Sequence, residues 1–300
     1  MTYAWALLPD FLLIAAGFGL CRFTPLGREV WDGVERLVYY LLFPVLLFNS
    51  VLRSPLQPGQ TAGLAAAGLG VVLTGIALAA MLRLWRGADR ALLASGAQTA
   101  FRFNSFIALA LAERLGGAQG LAWIALVIAL CVPLCNVAAV WPLARHGGQG
   151  VWRELARNPL IVATLAGLTA NLAGLQLPEA AATTLQRIGV AALLLGLMAV
   201  GAGLKFLGLK EAPGLAAALL AIRHAALPVV ALALCALLAL PPAQSAIVVM
   251  FAALPTAPSA YVLTVRMGGH GPFVAGLVTV STLLGAVSVS LWLAVLQRAS

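Results

Sequence analysis

The sequence predicts an all-α integral membrane protein with ten transmembrane helices, built as a 5+5 inverted repeat. Three observations predict this fold: the hydrophobic composition, the spacing of long apolar runs, and the distribution of lysine and arginine between those runs. Of the 300 residues, 62% are hydrophobic and 9% are charged, whereas soluble domains contain roughly 45–50% apolar and about 25% charged residues. Lipid must therefore solvate most of this chain.

Ten apolar runs define the predicted transmembrane helices, because each approaches the roughly 20 residues that span a bilayer. They lie near residues 5–21, 33–52, 61–82, 91–113, 119–143, 158–176, 186–204, 213–239, 244–264 and 272–296. The first run is interpreted as a membrane helix and not as a cleaved signal peptide, since no basic segment precedes it. The connections are short, so we expect no soluble domain.

Lysine and arginine are concentrated on one side of this predicted topology. The richer side holds twelve (Arg22, Arg28, Arg36, Arg83, Arg86, Arg90, Arg145, Arg153, Arg157, Lys205, Lys210, Arg266) and the poorer side four (Arg53, Arg114, Arg187, Arg298). Because basic loops stay in the cytoplasm, we expect a multi-pass protein of the cell (inner) membrane. Both termini would lie outside, in the periplasm, and the central loop in the cytoplasm. This topology also explains the net charge of +9, so no nucleic-acid partner is predicted.

An internal repeat relates the two halves of the chain. A shift of 152 residues places Gly116 over Gly268 and Asn104 over Thr256. Five is an odd number of helices, so the second half would enter the membrane from the opposite side, as in many secondary transporters. We therefore expect a first five-helix repeat over residues 1–145, a cytoplasmic linker over 146–158 and a second, inverted repeat over 159–300.

Helix 9 contains a predicted break at membrane depth. Pro255 and Pro258 lie three residues apart in mid-span and remove two backbone donors. Irregular backbone at this depth is tolerated only where protein or a water-filled cavity satisfies it, and Thr256 and Ser259 add hydroxyl groups there. The alternative interpretation is a simple proline kink.

Helix 4 carries a cation at the equivalent depth, in the segment Phe101–Ser105. A charged residue at the bilayer centre costs at least about 2.5–3.5 kcal/mol, so Arg102 should face a cavity or a partner. Few acidic residues lie at that depth, and its natural counter-ion would be a substrate carboxylate held by the guanidinium. Arg102 near a helix end could instead reach the interface. Asn104 and Ser105 follow it as candidate substrate ligands.

Two further polar positions remain open on sequence alone. Asn49, late in helix 2, would contact either substrate or a neighbouring helix. His224 in helix 8 could relay protons, but Arg223 would draw the pair toward the cytoplasmic interface, so a structural role is favoured. Cys131 and Cys135 share a helix face without a histidine or acidic neighbour, and we predict neither a metal site nor a cofactor.

Four segments resemble the auxin efflux carrier family in its short bacterial form, over essentially the whole chain. They are VYYLLFPVLLFNS (38–50), FRFNSFIAL (101–109), RNPLI (157–161) and, most specifically, LPTAPSAYVL (254–263). The resemblance implies ten helices in an inverted repeat with broken crossing helices 4 and 9. It matches Asn104 to the asparagine at the helix-4 crossover, and Pro255 with Pro258 to the helix-9 break. No proline or glycine follows Asn104, so the sequence leaves open whether helix 4 is unwound.

These observations together predict a secondary active transporter, a permease or efflux carrier, for a small organic anion. Plant members of the family export auxin, an aromatic carboxylate, and some bacterial members are described as malate or malonate permeases. We expect a mono- or dicarboxylate substrate, moved across the lipid bilayer by alternating access. Coupling to H+ or Na+ and a homodimer are left open. One alternative is a sodium-coupled bile-acid-type symporter, and another is an integral-membrane enzyme acting on a lipid, for which no catalytic motif is present.

Overall fold

A computed structural model describes residues 3–53, 58–85, 87–143, 159–204 and 209–299. In these residues all regular structure is helical, and no β-strand is present. The α-helices are α1 (Tyr3–Phe23), α2 (Arg28–Leu37), α3 (Phe43–Arg53), α4 (Pro58–Met81), α5 (Arg90–Gly96), α6 (Ser105–Leu143), α7 (Pro159–Leu172), α8 (Glu179–Ala202), α9 (Pro213–Ala221), α10 (Leu227–Leu237), α11 (Pro242–Ala253), α12 (Ser259–Arg266) and α13 (Gly271–Ala299). Short 3-10 turns at Leu82–Leu84, Ala97–Ala100 and Leu209–Glu211, and π-helical turns at Val38–Leu42 and Ile222–Ala226, connect some of them.

Six segments of the described residues are long and apolar enough to cross a membrane. They are Arg28–Arg53, Thr61–Leu84, Arg90–Ala139, Glu179–Ala202, Pro213–Leu237 and Gly271–Arg298. Three shorter apolar helices accompany them, at Phe11–Phe23, Val162–Leu172 and Pro242–Ala253. The all-helical architecture and these spans agree with an integral membrane protein.

The helices pack in two groups. In the first, α1 packs along α8, and α3 packs along α7 and α8. The second surrounds α6 and α11 with α4, α10 and α13. Contacts of α3 with α6 and of α1 with α13 join the two groups. The largest core of buried apolar side chains runs through both.

Helix α1 approaches α8 closely enough to require glycine. A Cβ at Gly201 would overlap the carbonyl oxygen of Ile14, and a Cβ at Gly17 would overlap the carbonyl oxygen of Met198. Small residues at such positions let the backbones of two membrane helices touch. The packing of this pair therefore depends on both glycines.

The helices of the structure differ from the predicted spans at several ends. Helix 2 begins at Arg28, earlier than the predicted 33, and Arg28 forms ion pairs of 2.8 Å with both Asp32 and Glu35 on the same helix. Predicted helices 4 and 5 meet at Gly117, whose φ of 54° and ψ of −142° interrupt α6. Helices 4 and 9 are both broken in mid-span.

Candidate functional site at the crossing of two broken helices

The predicted ninth transmembrane helix (residues 244–264, called helix 9) is broken at residues 254–258, between α11 and α12 of the structure. The chain leaves α11 at Leu254 in an extended conformation, with φ −56° and ψ 147°. A helix that ends here leaves its last carbonyl groups without intrahelical donors. Arg223, only 1% exposed, supplies two of the missing donors. Its Nε donates to the Leu254 oxygen at 2.6 Å, and its Nη2 donates to the Phe251 oxygen at 3.0 Å.

The break in helix 4 covers residues 101–104, between a 3-10 turn and α6. Asn104 caps α6, because its Oδ1 accepts hydrogen bonds from the backbone N–H groups of Phe106 (3.0 Å) and Ile107 (3.3 Å). Asparagine is among the preferred N-cap residues, and this geometry satisfies donors that a new helix leaves open. Helix 4 is thus unwound without a proline.

The two breaks touch each other. The backbone N–H of Asn104 donates to the carbonyl oxygen of Pro255 at 2.9 Å. The rings of Phe103 and Phe251 meet edge to face, with centroids 4.6 Å apart. Irregular backbone from each helix is therefore satisfied partly by the other, which fixes the crossing point.

Arg102 reaches across this crossing. Its Nη2 donates to the Oγ of Ser259, the first residue of α12, at 3.3 Å. Arg102 is half-buried and Ser259 is exposed, so the pair borders open space beside the buried crossing. The Arg102–Ser259 pair therefore lies at the partly exposed edge of the crossing.

Helix α13 and the π-helical turn support the helix-9 break from behind. The Oγ of Ser281 accepts a hydrogen bond from the backbone N–H of Thr256 at 2.9 Å and lies 2.8 Å from Nε2 of His224. The carbonyl oxygen of His224, inside the π-helical turn, accepts from Nε1 of Trp292 at 2.8 Å and from the hydroxyl of Ser288 at 3.4 Å. Side chains of α13 thus hold both the turn and the break.

Several buried polar atoms at the crossing have no hydrogen-bond partner among the described residues. They include Nδ2 of Asn104, a residue 1% exposed, and Oγ1 of Thr256, a residue 0% exposed. An unsatisfied buried polar group costs about 1–3 kcal/mol, and such groups in native structures call for an explanation. A bound ligand would supply one here.

A comparison with protein families places this architecture among transporters. The family model described as Membrane transport protein, which is the domain of the auxin efflux carrier family, matches residues 142–293, about half of the chain. The chain belongs to this family. Comparison with curated proteins found no match.

The crossing in this membrane transport protein carries positive charge. The sequence contains no Asp or Glu between Arg90 and Ala112, or from Ala212 to the C-terminus. Those two segments provide both breaks, together with Arg102 and Arg223. No carboxylate in them can neutralise either guanidinium, so an anion is the ligand favoured by the local electrostatics.

The structure brings six of the eight predicted residues together at the crossing: Arg102, Asn104, Pro255, Thr256, Pro258 and Ser259. Ser105 adjoins them as the first residue of α6. Asn49 lies apart on α3, where its Oδ1 is buried and accepts no hydrogen bond from the described residues. The roles of these side chains toward a substrate stay predictions.

Arg223, for which the sequence favours a structural role, is buried and donates to carbonyl groups 28 and 31 residues away in sequence. Ser281 was missed altogether. The signal available was the group of polar residues Thr279, Ser281 and Thr282 in a largely apolar segment, since polar residues in membrane helices usually face protein or a cavity.

Proposed function

We propose that this membrane transport protein is a secondary active transporter for a small organic anion, a mono- or dicarboxylate, working by alternating access. The observation that carries the proposal is the guanidinium of Arg102, hydrogen-bonded to Ser259 where two helix breaks cross. A half-buried cation in segments that lack acidic residues is expensive in a membrane unless an anion compensates it.

The backbone at the crossing adds to the attraction for an anion. Helices α6 and α12 both begin there, at Ser105 and Ser259. The N-terminus of a helix carries a partial positive charge and open N–H groups, and broken helices use these ends to bind substrate near the bilayer midplane in transporters. In the proposed site Arg102 attracts the carboxylate, and Asn104, Ser105, Thr256 and Ser259 orient it.

Asn49 is the outlying member of the proposed site. It lies on α3, which packs against α6, and its buried Oδ1 accepts no hydrogen bond from the described residues. A donor on the substrate, or on a rearranged α6, would satisfy it in another state of the transport cycle. We keep Asn49 as a proposed ligand on that basis.

The ten-span inverted repeat is also a proposal, with domains over residues 1–145 and 159–300. The apolar segment Arg90–Ala139 counts as two spans, because the chain changes direction at Gly117. With the three shorter apolar helices, the six long segments then give ten spans.

The packing supports this repeat. Under it, α1 corresponds to α7, and α3 corresponds to α8. The close pair α1–α8 then exchanges with the close pair α7–α3, and these are the two most extensively packed helix pairs of the protein. Positive-φ glycines occur near the equivalent point of both halves, at Gly117 (φ 54°) and at Gly268 (φ 71°), one residue out of register with the 152-residue shift. The excess of basic residues favours periplasmic termini and a cytoplasmic central loop, in the inner membrane.

Uptake into proteoliposomes tests the proposed function. The purified protein is reconstituted and offered radiolabelled malonate, malate, acetate and indole-3-acetate, with a membrane potential, a pH gradient or a sodium gradient applied separately. We expect saturable uptake of at least one acid, lost in Arg102→Ala and partly retained in Arg102→Lys. The matched control is Arg187→Ala on the exposed surface of α8, which should transport like the wild type.

Each outcome decides a specific point. Uptake that requires sodium would favour the bile-acid-type symporter, and sodium-independent uptake would exclude it. Absence of transport for every acid under every gradient, with folded protein in the vesicles, would refute an anion carrier. Uptake unchanged in Arg102→Ala would move the anion site away from the crossing.

A further inference from the structure

We propose that His224 is the proton-binding group that couples anion transport to the proton gradient. This inference rests on the proposed anion transport and names its coupling ion. The geometry behind it is a short chain of hydrogen-bonded groups, in which the Oγ of Ser281 lies between Nε2 of His224 (2.8 Å) and the backbone N–H of Thr256 (2.9 Å).

This chain ends at the proposed anion site. Thr256 lies in the helix-9 break, one residue beyond Pro255, whose carbonyl oxygen binds the helix-4 break. His224 is thus two hydrogen bonds away from the backbone that would contact the anion. A change in the hydrogen-bonding state of His224 alters what Ser281 can offer to that backbone.

No other side chain around this cluster is suited to exchanging protons near neutral pH. Histidine is the residue that ordinarily titrates between pH 5 and 8. The helices packed against the π-helical turn are α4, α9, α10, α11 and α13, with the 3-10 turn at Ala97–Ala100. These elements contain no Asp, Glu or Lys.

Among the described residues, the ionisable groups near the cluster include two guanidiniums and one thiol. Arg223 is the sequence neighbour of His224, and Arg102 stands across the crossing. Cys135 of α6 interacts electrostatically with both arginines and donates from Sγ to the Phe101 oxygen at 3.6 Å. An arginine stays charged, and a buried thiol is a poor proton carrier, which leaves the imidazole.

Electrostatic interactions couple the binding of the proton to the binding of the anion. A proton on His224 would add a positive charge beside the Arg223 guanidinium, which costs electrostatic free energy. A carboxylate bound at the crossing offsets that cost. Because binding linkage is reciprocal, the anion then promotes proton binding, and the proton promotes anion binding.

The hydrogen bonds of His224 agree with an unprotonated imidazole. An imidazolium donates from both nitrogens, whereas Nδ1 of His224 is buried and has no partner among the described residues. The second N–H of the protonated ring would therefore need a new acceptor or a compensating negative charge, and the bound anion would supply the charge.

The test compares gradient-driven accumulation with exchange in proteoliposomes, using whichever of malonate and malate the wild type transports better, because acetate and indole-3-acetate cross the bilayer as neutral acids and follow a pH gradient without a carrier. The membrane potential is clamped to zero, and the outside is one pH unit more acidic than the inside. One proton per anion would drive up to about tenfold accumulation in the wild type. In His224→Gln the accumulation ratio should fall to about one, while exchange of labelled for unlabelled anion persists.

His270→Gln is the matched control, because His270 lies at the start of α13, paired with Glu211 at 2.9 Å, away from the crossing. It should accumulate anion like the wild type. Gradient-driven accumulation retained in His224→Gln, or lost equally in His270→Gln, would overturn the proposal.

The wild type alone provides a second measurement that does not depend on the folding of a variant. Adding malonate, or the best transported acid, to purified protein in a weakly buffered dye solution should take up protons as the anion binds. Anion transport without proton uptake, and without a response to the pH gradient, would overturn the coupling and leave the anion carrier intact. Absence of exchange in the wild type would refute the carrier itself.

Discussion

Asn104 combines two roles that substitutions can separate. Its Oδ1 caps α6 through the N–H groups of Phe106 and Ile107, whereas its Nδ2 is buried and has no partner among the described residues. Asn104→Asp retains the capping oxygen and replaces the NH2 donor with a second carboxylate oxygen. Asn104→Ala removes both groups.

The two substitutions affect stability and binding differently. Loss of the cap costs about 0.5–2 kcal/mol, so Asn104→Ala should lower the thermal stability. Asn104→Asp retains the cap but buries a carboxylate at a position 1% exposed, which also costs stability. A carboxylate about 4 Å from a bound anion would repel it by roughly 4 kcal/mol at an effective dielectric constant of about 20. Arg102 would offset part of this, and we expect KM to rise at least about thirtyfold in Asn104→Asp.

Initial rates of anion uptake in proteoliposomes give KM, and fluorescence-monitored thermal unfolding of the purified protein gives Tm. We predict a strongly raised KM for Asn104→Asp and a lowered Tm for Asn104→Ala. Wild-type KM in Asn104→Asp would show that Nδ2 does not face the anion and would refute the reasoning about the crossing.

Three further substitutions test the packing around the site by thermal unfolding. Arg223→Met should destabilise the protein, because two buried carbonyl groups of the helix-9 break lose donors at about 1–3 kcal/mol each. Removing the buried charge offsets part of this loss. An unchanged Tm would contradict the capping role. Gly201→Ala should lower the stability by about 1–3 kcal/mol, because the new methyl group overlaps the α1 backbone. Gly19→Ala is the control: its methyl group meets nothing within 4 Å, so Tm should be unchanged or raised. Equal effects of the two substitutions would refute the close approach of α1 and α8. Gly117→Ala places a side chain at φ 54° and should cost about 1–2 kcal/mol, with Gly116→Ala as the control that should be mild.

The sequence predicts the helix-9 break and misses the reason for the helix-4 break. The helix-9 break is predictable from its prolines, because Pro255 and Pro258 cannot continue a helix at their positions. The second has no such local signal. It depends on the cap that Asn104 forms and on its N–H bond to Pro255, a residue 151 positions away, so only the folded chain reveals it.

The site was predictable to a similar extent. Arg102 stands out in the sequence because a charge at that depth needs an explanation, and Thr256 and Ser259 lie between or beside prolines. The role of Arg223 was hidden, since the carbonyl groups that it caps exist as acceptors only after helix 9 has broken. The role of Ser281 was also hidden, because a serine in a membrane helix does not indicate which group it will bind.

The central claim is that an organic anion binds at the crossing through Arg102. Equilibrium binding measures it most directly: isothermal titration of the purified protein with the transported acid, for the wild type, Arg102→Lys, Arg102→Ala and the surface control Arg187→Ala. The account predicts a Kd at least about tenfold weaker in Arg102→Ala, since a charge-assisted hydrogen bond contributes about 1.5–3 kcal/mol. It predicts an intermediate value in Arg102→Lys and a wild-type value in Arg187→Ala. A Kd in Arg102→Ala equal to that of the wild type would contradict it.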